Sequence, residues 1–216
     1  MNSYPQKSQP DAATVKLLKA EAEAARAPLH RVAEGIAAAD IFVGTRHAAS
    51  DPQLLAKHGI VSVLNCAVNL DINNVETLAA DIGARQSYGW APVRYYKLGM
   101  IDGPGNPREM VLAGYLQMRA ILGQEMPDKP SYPWPNVGNI LVNCRGGRSR
   151  SVIVVSVFLH AERRTDFPTL ASAIDHVRKA RELDPMEWPT APKQVLIDAA
   201  DWALEMIDRM ELKPLT

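Results

Sequence analysis

Two cysteines in 216 residues, Cys66 and Cys144, are too few to staple a domain of this length. Disulfide frameworks belong to short secreted chains with many more, so the scarcity points to a reducing compartment. An excess of charge of one sign is also missing: Lys+Arg and Asp+Glu both number 24, and the net charge is zero. A general nucleic-acid binder needs a basic excess, so nucleic acid is not an expected partner, although a small local basic pocket stays open. Long apolar runs are missing too. The longest, VIVVSVFL at 152–159, falls well short of the about 20 residues a helix needs to span a bilayer. The opening MNSYPQKSQPDAA has no apolar centre of the kind a secretory signal carries. The expectation is a soluble, cytoplasmic protein with no transmembrane segment. The five histidines (30, 47, 58, 160 and 176) show no metal-site spacing, so no metal is expected.

What is present is ordinary globular material, 47% hydrophobic and 22% charged, long enough to bury a core without staples. Residues 1–10 are polar with two prolines, and Asp11 can cap a helix through ATVKLLKAEAEAAR that ends at Pro28. Residues 1–33 therefore read as an N-terminal extension and 34–216 as the domain, with its core starting near Asp40. IFVG (41–44) reads as a strand. SDPQLLAKHG follows as a short helix, with Ser50 as cap and Gly59 as stop. IVSVLNCA (60–67) and VRYYKLGM (93–100) read as strands, residues 73–82 as a helix, and 108–124 as a helix by apolar spacing. After a four-proline excursion, NILVNC (139–144) is a strand, and helices follow near 149–163, 168–180 and 191–211. Strands alternating with helices predict an α/β fold with a central, mostly parallel sheet.

The stretch NCRGGRSRSV, 143–152, stands out. It puts a cysteine, paired glycines and three arginines at a turn from a buried strand into a buried helix. The start of such a helix carries unpaired N–H groups and partial positive charge, so anions bind there. Gly146 and Gly147 allow the backbone to curl around an anion. Arg150 stands six positions beyond Cys144, with five residues between, a spacing that lets its guanidinium fork face the same anion as the sulfur. The same surroundings lower a thiol's pKa. A thiolate beside a phosphate is placed for in-line attack on phosphorus, giving a phosphocysteine, with Arg150 and the amides stabilising the charge in transfer. Ser151 can donate to the sulfur and help it leave. The alternative is a buried core cysteine followed by solvated arginines.

C-R-G-G-R-S-R-S, 144–151, resembles the C-x-x-G-x-x-R-S phosphate loop of cysteine-dependent protein phosphatases, closest to the dual-specificity branch. IFVGTRHAASDPQLLAKHGIVSVLNCA (41–67) resembles that branch's opening strand, helix and strand, and RELDPMEWPTAPKQVL its late Arg–Pro–Gln segment; together the resemblance covers about residues 40–200. It implies a sheet of four or five strands flanked by helices, no cofactor, and hydrolysis of phosphomonoesters through phosphocysteine. By carry-over, Cys144 is the nucleophile, Arg150 the phosphate clamp and Ser151 the aid to turnover. Arg145, Gly146, Gly147, Arg148, Ser149 and Arg150 form the phosphate-binding loop. Asp102, just past a strand in a Gly-Pro-Gly loop that could swing, matches the general acid; its rival reading is a turn-forming Asp. Asp71 and Asp81 are poorer candidates. One departure is clear: Asn143 stands where the family has His, which implies lower activity or a pH optimum shifted upward.

The substrate implied is a phosphorylated protein, on tyrosine and also on serine or threonine, or a small phosphomonoester. Arg145 and Arg148 leave a phosphoinositide or other phospho-metabolite open as the alternative, and Asn143 leaves open a phosphate-binding module with weak or no turnover. A rhodanese-like sulfur transferase or arsenate reductase also uses a cysteine loop with arginine, but 41–67 and Ser151 favour the phosphatase. Cys66 reads as a core residue. Trp134, Trp188 and Trp202 read as packing residues. Lys193 and Gln194 would approach the site in the family's topology.

Overall fold

The computed structural model describes residues 26–72, 77–78, 89–135, 137–186 and 188–215. Its centre is a five-stranded sheet in the order β1-β2-β7-β3-β6. The strands are β1 (Leu29–Ile36), β2 (Ala39–Gly44), β3 (Ile60–Ala67), β6 (Arg94–Met100) and β7 (Asn139–Asn143). β2, β7, β3 and β6 run parallel, and β1 is the antiparallel edge. The α/β fold with a mostly parallel sheet is therefore as the alternation of strands and helices predicts.

Side-chain alternation along the strands divides the core in two. Ile41, Val43, Leu64, Ile140 and Val142 face one layer, packed by α3 (Glu109–Gly123), α4 (Arg150–Glu162), α5 (Leu170–Ala180) and α6 (Gln194–Arg209). Phe42, Val63 and Leu141 face the other, packed by the short α1 (Arg46–Ala49) and α2 (Pro52–Lys57). Helix α4 is central. Val152 to Leu159 are all buried, as expected of a helix that is apolar all round. Glu162 near its end accepts from Tyr115 (2.8 Å), Arg119 (2.5 Å) and the Leu215 N–H (2.7 Å), which ties α3 and the C-terminal segment to α4. Burial and the Glu162 contact push the Tyr115 hydroxyl up to about 12. Among the described residues, no helix is long and apolar enough to cross a membrane.

Three details differ from the sequence reading. β1 spans the 33/34 boundary, so residues assigned to the extension supply a strand of the sheet. It joins β2 through Ala37 and Ala38, both at positive φ (49° and 59°). That tight hairpin turn is usually marked by Asn or Gly, and two alanines give no such signal. Within the 73–82 segment, β4 (Thr77–Leu78) pairs antiparallel with β5 (Gly89–Trp90), so pairing overrides the helical spacing there; the rest of that segment, and the helix expected from Asp11, lie outside the described residues. The cap of α2 is Asp51, whose carboxylate accepts from the Leu54 N–H at 3.0 Å; the Ser50 hydroxyl instead donates to His47 O.

Parallel pairing brings the carboxyl ends of β2, β3, β6 and β7 to one edge of the sheet. Thr45, Asn69, Asp102 and Cys144 follow those four ends, in the crevice where open α/β sheets bind ligands.

Candidate active site

Cys144 follows β7 and precedes α4, and the loop between them fills the carboxyl edge. Cys144 is 3% exposed. The Ser151 hydroxyl donates to it at 3.4 Å. Burial disfavours the charged sulfur. The Ser151 hydroxyl and N–H, the Arg150 charge and the Arg148 N–H together outweigh it and hold the thiol below its ordinary range. Asn143 is fully buried; its amide donates to Cys144 O at 3.4 Å. The thiol is thus depressed without a histidine at that position.

Arg150 is also buried, and its Nη1 donates to Asn69 (3.2 Å) and to Met100 O (3.1 Å). The ends of β3 and β6 therefore set its orientation. Its Nε and the Ser149 hydroxyl are buried with no hydrogen-bond partner among the described residues. Buried donors of this kind cost stability unless an acceptor reaches them, and an anion in the loop is such an acceptor. Gly147 supplies the tight turn, at φ 63°. A Cβ there would stand 2.7 Å from Gly44 O, so only glycine fits. Gly147 does not line the cavity. Its carbonyl accepts from Arg181 Nε at 3.3 Å.

Arg181 is fully buried beneath the loop, and its Nη1 donates to Ala27 O (3.2 Å) and to His30 Nδ1 (2.5 Å). Burial, followed by the Arg26 charge, pulls it down to about 10, while a charged Cys144 pulls it up. His30 is lowered as well, by burial and then by Arg181; Glu182, 3.5 Å from its Nε2, opposes this.

Asp102 lies just beyond β6 and lines the same cavity as Cys144, exposed to solvent. Its loop is tied rather than free. Asn106 accepts from the Ile101 N–H (2.7 Å) and donates to Ile101 O (2.8 Å) and Gly103 O (3.1 Å). Lys193 donates to Asp102 O at 2.6 Å, so it does approach the site, whereas Gln194 bonds Asp198 one turn on. The cavity measures about 710 Å³; Arg145, Gly146, Arg148, Ser149 and Arg150 line it with Asp102 and Cys144. Arg148 lies over the Trp188 ring at 3.7 Å.

The structure thus gathers the residues that the sequence singled out. It adds Asn69, Arg181 and Lys193, and Arg46 and His47 in the cavity wall. Lys193 and Arg181 carried a signal through the late Arg–Pro–Gln segment, which Arg181 opens, and Arg46 and His47 lie within the 41–67 stretch; only the fold shows that these side chains and Asn69 meet at the loop. Other candidates lie elsewhere. Asp71 pairs with Lys97, and Asp81 is outside the described residues. Trp134 donates to Ala91 O at 2.9 Å, and Trp202 packs under Arg108. Cys66 is fully buried in β3, and burial pushes its thiol well up.

No family model matches the sequence. Solved structures do match the fold. Human DUSP28 is similar over 84% of this chain and 96% of its own, at 23% identity and a TM-score of 0.55. A mouse protein described as a dual specificity phosphatase, solved with zinc tungstate, is similar over 88% and 95%, at 21% identity and a TM-score of 0.61. The Yvh1 phosphatase domain from Chaetomium thermophilum is similar over 84% and 96%, at 19% identity and a TM-score of 0.57. The chain has the α/β fold of dual-specificity phosphatases.

Proposed function

We propose that this chain hydrolyses phosphomonoesters through a phosphocysteine on Cys144. The observation that carries the reading is the joint placement of a depressed thiol, a buried and pre-oriented Arg150, and buried donors left open to an anion. The similarity to structures named as dual-specificity phosphatases supports it.

In the first step the Cys144 thiolate attacks phosphorus in line. The bond from phosphorus to the ester oxygen breaks, and Asp102 gives that oxygen its proton. Arg150 and the loop amides hold the equatorial oxygens, where charge gathers. In the second step Asp102, now a carboxylate, takes a proton from water as the water attacks phosphorus. The sulfur–phosphorus bond breaks, releasing inorganic phosphate and restoring the thiolate, which the Ser151 hydroxyl stabilises as it leaves. Arg145, Gly146, Arg148 and Ser149 complete the cradle, and Gly147 makes the turn that shapes it.

The test is phosphate release from an aryl phosphate between pH 5 and 8. Release that depends on the depressed thiol is expected. No release at any pH, together with tight binding of a phosphopeptide, would replace this reading with a binding module, the alternative that Asn143 favours.

A further inference from the structure

We propose that the mouth of the Cys144 pocket contains a second anion subsite, built by Arg46 and Arg145, and that the substrate is a compact small molecule with a second phosphate beside the one removed. This rests on the phosphatase reading and names its substrate class.

The subsite is held by the fold. Thr45 follows β2, its N–H donating to Pro28 O at 2.8 Å. Arg46 opens α1, and its N–H donates to Arg145 O at 3.2 Å. Arg145 is the residue next to Cys144. The two arginines are therefore locked backbone to backbone, one on the phosphate loop and one on the wall beside it. Both side chains are exposed and line the 710 Å³ cavity, with His47 next to them.

Their state differs from that of the other arginines. Arg150 is engaged with Asn69 and Met100 O, and Arg148 lies on Trp188. Neither Arg46 nor Arg145 has a side-chain hydrogen bond or ion pair among the described residues, and Asp102 is the one carboxylate in the described lining. Two arginines that line one cavity without an ion pair leave their guanidinium forks open to a phosphate that accepts from both. Arg150 and the loop serve the scissile phosphate, so the ligand of this pair is a second one. It must sit within a side-chain length of Cys144, which requires two phosphates close together on one scaffold. The cavity volume lies inside the roughly 300–1,000 Å³ of small-molecule sites, which favours a compact ligand over an extended chain.

The experiment compares kcat/KM for an inositol bisphosphate with vicinal phosphates, the matched monophosphate, an aryl phosphate and a peptide phosphorylated on both Thr and Tyr. The native protein is expected to prefer the bisphosphate over the monophosphate by about tenfold or more, and Arg46→Gln is expected to remove most of that preference. The preference should also shrink with added salt, since the mouth is open to solvent. Equal rates on the two inositol phosphates would overturn the proposal. So would an equal loss on both in Arg46→Gln, or a preference for the doubly phosphorylated peptide. If the native protein hydrolyses none of the four, the hydrolase reading fails on its own account. Calorimetric binding then decides the subsite: tighter binding of the bisphosphate, weakened in Arg46→Gln, sustains it, and equal binding of the two inositol phosphates overturns it.

Discussion

Cys66 and Cys144 lie one residue beyond a paired position: Asn65 and Asn143 face each other across parallel β3 and β7. Both sulfurs are buried. Yet burial drives the Cys66 thiol well up, while Cys144 is held low. The strand continues past Cys66, and among the described residues no donor reaches its sulfur. The strand stops before Cys144, and the chain turns under it into α4, so N–H groups, Ser151 and Arg150 converge on the sulfur. The same residue type is an inert core filler or a candidate nucleophile according to whether its strand has ended.

The largest effect separates the two outright. Cys144→Ser is expected to lower phosphate release from an aryl phosphate by at least about a thousandfold, while Cys66→Ala keeps most of the rate; comparable losses in both would collapse the contrast. Arg150→Met removes the charge and the phosphate fork together. It should cost about 10²–10³ in kcat and move the alkylation of Cys144 by iodoacetamide to higher pH. Ser151→Ala keeps the clamp but takes the hydroxyl from the sulfur. Its expected loss is about tenfold, with phosphocysteine accumulating in rapid-quench samples because the leaving thiolate is less stabilised. An unchanged alkylation profile in this variant would show that the hydroxyl does not act on the sulfur.

The smallest effect is on stability, and it has opposite signs at the two sites. The folded pKa of Cys144 is lowered, so its contribution is present above the unfolded thiol range and is lost as pH falls through the folded value. The folded pKa of Cys66 is raised, so its contribution is present below that range and is lost as pH rises toward the folded value. Melting curves from pH 6 to 10 should therefore lose part of their alkaline decline in Cys66→Ala and part of their acid-side decline in Cys144→Ser.

The contrast also marks what a sequence can reveal. β3 and β7 are legible because continuous β-branched runs favour buried strands, whereas α4, just as β-branched, is legible through its place after the phosphate loop. The phosphate loop is legible because its cysteine, glycines and arginine are contiguous. β1 was hidden by a turn made from Ala37 and Ala38, where the left-handed backbone has no glycine to announce it. Arg181 opens the late Arg–Pro–Gln segment, but its contact was hidden for another reason. Nothing near it in the sequence says that its guanidinium reaches Gly147 O, 34 residues away. Asn69 belongs to the same class, a polar residue in a loop whose partner, Arg150, comes within reach only once the parallel strands have aligned.

The ties on Arg150 have a consequence for how the molecule assembles. Its guanidinium is fixed by Asn69 and by Met100 O, 81 and 50 residues away. The anion cradle is therefore incomplete in any fragment that lacks the ends of β3 or β6. It is complete only when β2, β3, β6 and β7 are all in place. A phosphate analogue should therefore recognise the finished domain alone and raise its melting temperature with ligand concentration, so occupancy of the loop reports on folding of the entire sheet.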